Sequence, residues 1–203
     1  MTTRPGSDAP DEQPWNLDGA DATGVARWAP SEVLPSARVL LSVFEGVPTG
    51  GAAMLGPAVE LVACQQRHRL AYEMFGLDTV SAEQVKHAAI QLVSARIEIE
   101  MLITVIDDTV TERLKHLWPQ HHSSRQSASV VRALIGARPL LPVHTESVGA
   151  VIARMAGLWE AVAADGALGE EDCPEFARLR ELCLGYDFLV AEIHDGRRLP
   201  AGM

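Results

Sequence analysis

Apolar side chains recur at three- and four-residue steps through most of the chain beyond residue 55, the period of amphipathic helices. The first such stretch, helix A, is predicted from about Pro57, whose ring suits a first turn, to Phe75, with Gly76 as its stop. Its stripe is Leu61, Cys64, His68, Tyr72 and Phe75. Ser81 with Gln84 three residues on forms a capping box that opens helix B. Helix B is expected to end at Trp118, before Pro119, after about 36 residues or ~54 Å at 1.5 Å per residue. Its stripe is Val85, Ala89, Leu92, Arg96, Ile99, Ile103, Ile106, Val110 and Leu117. The β-branched residues from Ile97 onward alternate with Glu98 and Glu100 for only two steps before Met101-Leu102-Ile103 breaks the alternation, so a helix is favoured over a strand. A polar loop through His121, His122, Ser123 and Ser124 leads to a short helix, Ser127 to Ile135, that stops at Gly136. Helix C begins near Thr145, carries Val148, Ile152, Met155, Trp159 and Val162 on one face, and stops at Asp165-Gly166. Helix D starts around Pro174, shows Phe176, Leu179, Cys183, Tyr186, Val190 and Ile193, and finishes at Asp195-Gly196.

Each stripe needs a partner, and short links from A to B and from C to D make each pair antiparallel. The expected fold is all-α, an antiparallel four-helix bundle with one long central helix and a short extra helix. The bundle domain should span residues 37–198, followed by a tail at 199–203. Upstream, Arg38 to Phe44 is a short apolar piece that runs into the break Gly46-Val47-Pro48-Thr49-Gly50-Gly51. Residues 1–36 carry five prolines and a charge of −4, which suits a disordered or loosely docked acidic arm. Trp15 and Trp28 are the exceptions there, large side chains that favour docking on the domain or on a neighbouring subunit.

Composition narrows the function. Seventeen Lys and Arg face 27 Asp and Glu among 203 residues, a net charge of −10. That argues against a nucleic-acid binder, whose affinity rests on basic side chains displacing counterions. The longest apolar run falls far short of the ~20 residues of a membrane span, and the start lacks the apolar core of a secretory leader. Cys64, Cys173 and Cys183 are an odd number without close pairing, which suits a reducing compartment. A cytoplasmic protein with neither membrane nor nucleic-acid partners is expected, and 47% apolar residues suffice for one core.

The stretch His144-Thr145-Glu146-Ser147-Val148-Gly149-Ala150-Val151-Ile152-Ala153-Arg154-Met155 resembles the Thr-Glu-x-x-Gly-x-Ile-Ile-x-Arg-Leu signature of a bacterial family, domain of unknown function 4254, at Thr145, Glu146, Gly149, Ile152 and Arg154. Helix A resembles that family's first helix, with His68 as the polar residue in its stripe. Helix B resembles its long second helix, with Ile106-Asp107 for the closing Ile-Asp. The family's Arg-Asn pair upstream of Ile-Asp is replaced by Ile99-Glu100, and its Trp-x-x-Glu-Asp segment is missing around Tyr72. The resemblance, over residues 55–195, implies a divergent member of an all-helical family with no established activity.

Function therefore has to come from side chains. His68 and Arg96 interrupt stripes that should be buried, and a buried guanidinium requires an acid or an anionic ligand. One reading is a pocket inside the bundle where Arg96, His68 and Tyr186 face a polar or anionic metabolite. The alternative is a core ion pair from Arg96 to Glu146 or Glu60, with His68 bonded to backbone. Thr145 and Glu146 suit the start of helix C as a cap and a dipole partner. Arg154, two turns past Glu146, shares its side without bridging to it, and Gly149 admits a close backbone. His87, Gln91, Ser94 and Glu98 share a polar face of helix B, but no Glu-x-x-His pair or Cys-x-x-Cys motif accompanies them, so no metal and no cofactor are expected. Arg113, Lys115, Arg125, Arg132 and Arg138 against Glu112 make residues 112–138 locally basic, a place for an anion or for the acidic arm.

Two functions follow. The first is a cofactor-independent enzyme or small-molecule binder, with His68 or His194 in acid–base work, Arg96 or Arg154 holding an anion, and Glu146 and Tyr186 completing the site. The second is a non-catalytic binding or assembly protein that pairs with another subunit or an enzyme, including a homo-oligomer built through helical faces and the arm. The sequence leans to the first. An interior chamber joining His68 to Arg96 supports it, whereas a solid core with exposed apolar faces supports the second.

Overall fold

The computed structural model describes residues 34–47, 53–133, 145–166, 168 and 173–200, with side chains 117–133 outside the description. Five α-helices pack together: α1 (Ala37–Phe44), α2 (Leu55–Glu73), α3 (Ala82–Ala133), α4 (Val148–Ala164) and α5 (Pro174–His194). A single 3-10 turn, Met74–Gly76, follows α2. The acidic arm up to residue 33 and the tail residues 201–203 lie outside the described residues, and the core already begins at Leu34.

The apolar piece before the Gly-rich break is a full element. Ser36 caps α1, and Ala37, Val39, Leu40, Leu41, Val43 and Phe44 are all buried. The chain then leaves through Gly46 at φ 81°, with its N–H donating to the Val43 carbonyl and that of Val47 to the Ser42 carbonyl. Glycine is needed here because a Cβ strains that left-handed conformation. Gly196, at φ 62°, closes α5 in the same way. At the start of α3, Gln84 N–H donates to Ser81 Oγ at 3.2 Å and Ser81 N–H to Gln84 Oε1 at 2.9 Å, the expected capping box.

α4 touches each of the other four helices. Its buried residues, among them Val148, Val151, Ile152, Met155, Trp159 and Val162, occupy more than one face, so the expected stripe is only part of its buried surface. The central helix is therefore α4, and the long helix α3 flanks it. α3 runs 52 residues, about 78 Å. It continues through Pro119 and absorbs the short helix expected from Ser127. Proline deletes one donor and crowds the preceding turn, but the turns on either side keep their own hydrogen bonds.

α1 is held at its N-terminus by α5, where Ala37 N–H donates to Asp187 Oδ1 at 2.7 Å. Burial pushes the Asp187 carboxyl up, and the Ala37 N–H pulls against that shift. Because its folded pKa is raised, the carboxyl favours the fold while protonated and loses that contribution as pH rises past its ordinary value. Asp187→Asn keeps the acceptor without the charge. It is expected to raise the melting temperature at pH 7, with the gain vanishing near pH 3, as followed by circular dichroism.

Candidate functional site

The predicted inward groups separate. Arg96 points to solvent, its side chain 77% exposed, and pairs with Glu100 one turn on in the same helix, at 3.3 Å. Neither the expected chamber around it nor the alternative core pair with Glu146 or Glu60 forms. The buried line of α3 is Ala88, Ala95, Ile106, Val110 and Leu114, with Leu92, Ile99, Leu102 and Ile103 half-buried. Ala95 takes the inward place assigned to Arg96, a rotation of one residue or about 100°. His68 is half-buried on α2. Tyr186 is fully buried, its hydroxyl without a hydrogen-bond partner among the described residues, and burial drives its phenol far upward. His194 is exposed in the last turn of α5, where a cation suits the helix dipole.

The inward polar groups are Gln65 and Arg69, one turn apart on α2. Gln65 Nε2 donates to the Ala153 carbonyl at 3.1 Å and rests beside Gly157. Arg69 forks onto Glu160 of α4, from Nε at 2.7 Å and Nη2 at 2.9 Å, and also engages Glu73. Glu160 is the one charged residue buried among the described residues, at 6% exposure. The Glu160 hydrogen bonds, then Glu73, raise the Arg69 guanidinium above its ordinary range despite desolvation. The sequence signal was present: Glu160 and Arg154 are the only charges in α4, and Glu160 directly follows buried Trp159.

A second polar cluster lies between α2 and α3. Arg67 binds both Glu98 and, at 3.1 Å, the Cys64 sulfur, while Ser94 donates to Glu98 at 3.2 Å. Desolvation works against the Glu98 charge, and the Arg67 charge overcomes it to hold that carboxyl below its ordinary range. Burial raises the Cys64 thiol more than Arg67 lowers it, and burial pushes Cys183 up to about 12, so neither is an activated nucleophile. Cys64, Cys173 and Cys183 are free thiols.

The start of α4 also departs from expectation. Ser147 is its N-cap, accepting from Ala150 N–H at 3.1 Å, so Thr145 lies outside the helix. Glu146 and Arg154, placed too far apart to bridge, meet at 2.7 Å. Glu146 precedes the cap, where the chain is not yet helical, and the two long side chains close the remaining gap. Gly149 is pressed onto α3: its N–H donates to Asp107 Oδ1 at 2.7 Å, and a Cβ there would stand 2.5 Å from the Ile103 carbonyl oxygen. The residues that carry the family resemblance thus engage one another: Asp107 with Gly149, and Glu146 with Arg154.

The surface between α2 and α3 is apolar where polar side chains are expected. Leu70, Tyr72, Phe75 and Leu77 are exposed, Tyr72 by 67%, although Tyr72 and Phe75 were assigned to the buried stripe. Along α3, Ile90, Val93, Ile97, Met101 and Val105 project outward, each exposed by about half. Where the chain turns from α2 into α3 lies an open groove of about 880 Å³, with Leu70, Ala71, Met74, Leu77 and Ala88 along it and Arg67, Glu73, Glu83 and His87 at its margins. Arg67 is already committed to Glu98, which makes the groove a poor anion receptor.

Among the described residues, no three His, Cys, Asp or Glu side chains gather as a cation site, and no helix is long and apolar enough to cross a membrane. In the basic segment, Lys115 pairs with Glu112 at 2.7 Å, and the side chains from residue 117 onward lie outside the description. No family model matches the chain, and no curated protein or solved structure matches it.

Proposed function

We propose that this chain is a non-catalytic assembly protein that holds a partner protein on the outward face of α3 and the adjoining end of α2. One observation carries the reading: five large aliphatic side chains stand in helical register on the solvent side of α3. They expose roughly 500 Å² of apolar surface, at the upper end of what monomers leave uncovered. The enzyme reading relied on Arg96 and His68 sharing a chamber, and Arg96 is solvated and paired within its own helix.

In this reading, α2 with α3 and α4 with α5 run antiparallel, as the short link within each pair favours, and the chain is a divergent relative of the domain-of-unknown-function 4254 family. The five matched positions support a shared scaffold more than a shared reaction, because Gly149, Glu146 and Arg154 have structural tasks.

A photo-crosslinking amino acid at position 97 in the full chain tests the proposal, with the same group at Arg178 on α5 as control. Irradiation in cells of the source organism is expected to yield a covalent protein adduct of defined mass from position 97 alone. No adduct at 97, or equal adducts at both positions, overturns the reading.

A further inference from the structure

Resting on that reading, we infer that the partner is a second copy of this chain, its α3 laid antiparallel across the first with the two-fold axis near Ile97. The charges bordering the stripe argue for self-pairing in that sense. Lys86 and Asp108 lie eleven residues to either side of Ile97, both exposed, so an antiparallel pair brings each lysine to the other copy's aspartate. Arg96 and Glu100, on one shoulder of the stripe, come within two residues of facing the other copy's Glu100 and Arg96. A parallel pair would set Lys86 against Lys86 and Glu100 against Glu100, an arrangement that repels.

The apolar positions obey the same symmetry. Ile97 meets its own copy, Val93 falls opposite Met101, and Ile90 falls within one residue of Val105. This is the isologous contact of a closed two-fold dimer, in which each residue's partner is partnered in turn. Pairing the stripes removes roughly 1,000 Å² of apolar surface from water, and the stems of Lys86, Arg96 and Glu100 bring the total to about the 1,200 Å² at which specific interfaces begin. A moderate, reversible dimer is expected.

Sedimentation of the full chain at tens of micromolar should give twice its mass. Ile97→Glu with Met101→Glu should weaken association roughly a hundredfold or more, with helicity unchanged because both side chains lie outside the core. Lys86→Glu should weaken it about tenfold, and adding Asp108→Lys should restore it. Orientation is read by oxidative crosslinking against the parent chain. Ile97→Cys should form a disulfide dimer, Ile90→Cys alone should not, and a mixture of Ile90→Cys and Val105→Cys chains should. A monomeric parent, a dimer indifferent to Ile97→Glu with Met101→Glu, or efficient self-crosslinking of Ile90→Cys overturns the inference. An adduct at position 97 with a different protein, or with the chain's own residues 1–33, also overturns it. The different protein leaves the assembly reading standing, whereas no adduct at all removes both.

Discussion

Arg69→Met is expected to lower the unfolding free energy by about 3 kcal/mol, the lower part of the range for breaking a buried ion pair from one side. The reason is Glu160. At 6% exposure it lies at the α2 interface, and Arg69 supplies both of its charge-assisted hydrogen bonds. With methionine in place the carboxylate keeps its desolvation cost and loses its compensation. Arg69 itself is partly solvated, with 29% of its side chain exposed, which places the loss at the low end. Arg69→Met with Glu160→Leu removes charge from both sides, and most of the lost stability should return because apolar groups of similar size refill the space. Urea unfolding of the two variants, with the m-value unchanged, measures the difference. A loss under about 1 kcal/mol for Arg69→Met would mean that the pair behaves as a surface salt bridge.

Gly149→Ala should cost about 2–3 kcal/mol, although alanine is the better helix former. The added methyl group would meet the Ile103 carbonyl oxygen at 2.5 Å and its Cα at 3.1 Å, and backbone atoms cannot swing aside as a side-chain tip does. Either α3 and α4 move apart, stretching the 2.7 Å hydrogen bond from Gly149 to Asp107, or the contact stays compressed. Gly185→Ala on α5 provides the contrast. Nothing lies within 4 Å of its new methyl group, so it should gain about 0.5–1 kcal/mol from helix propensity alone. Thermal unfolding of both variants should shift in opposite directions, and a neutral Gly149→Ala would show that the helices approach less closely than described.

Local chemistry was legible in the sequence. The Ser81–Gln84 box and the glycine stops at Gly46, Gly166 and Gly196 are formed by neighbours in the chain, and they fold as expected. The stripes of α4 and α5 also hold, apart from half-buried Val190, because both helices are covered by the core along the expected line. The stripe expected on α3 holds at Leu92, Ile99, Ile103, Ile106 and Val110 and departs at Val85, Ala89 and Arg96, which are exposed; the helix is apolar on two faces. Ile97 and Met101 compete with Ile99 and Ile106 in any count of periodicity, and only the position of α2 and α4 decides which set is inside. Arg96 stands at the edge of the inward set, where the next residue round, Ala95, takes the buried place. Tyr72 and Phe75 fit the spacing of the α2 stripe, but they lie where α2 ends and remain exposed. The Arg69–Glu160 pair joins residues 91 positions apart, a separation that leaves no periodic trace.

The central position of α4 also governs how the protein emerges during synthesis. α1 lies between α2, α4 and α5, so about half of the surface that shelters it is translated more than a hundred residues later. At about 5–20 residues per second, that leaves an interval of roughly 5–20 s in which Leu40, Leu41 and Phe44 have only α2 for cover. A ribosome paused before Val148 would hold a sticky, incomplete core, and nascent chains of this protein should depend on holding chaperones until α4 is released.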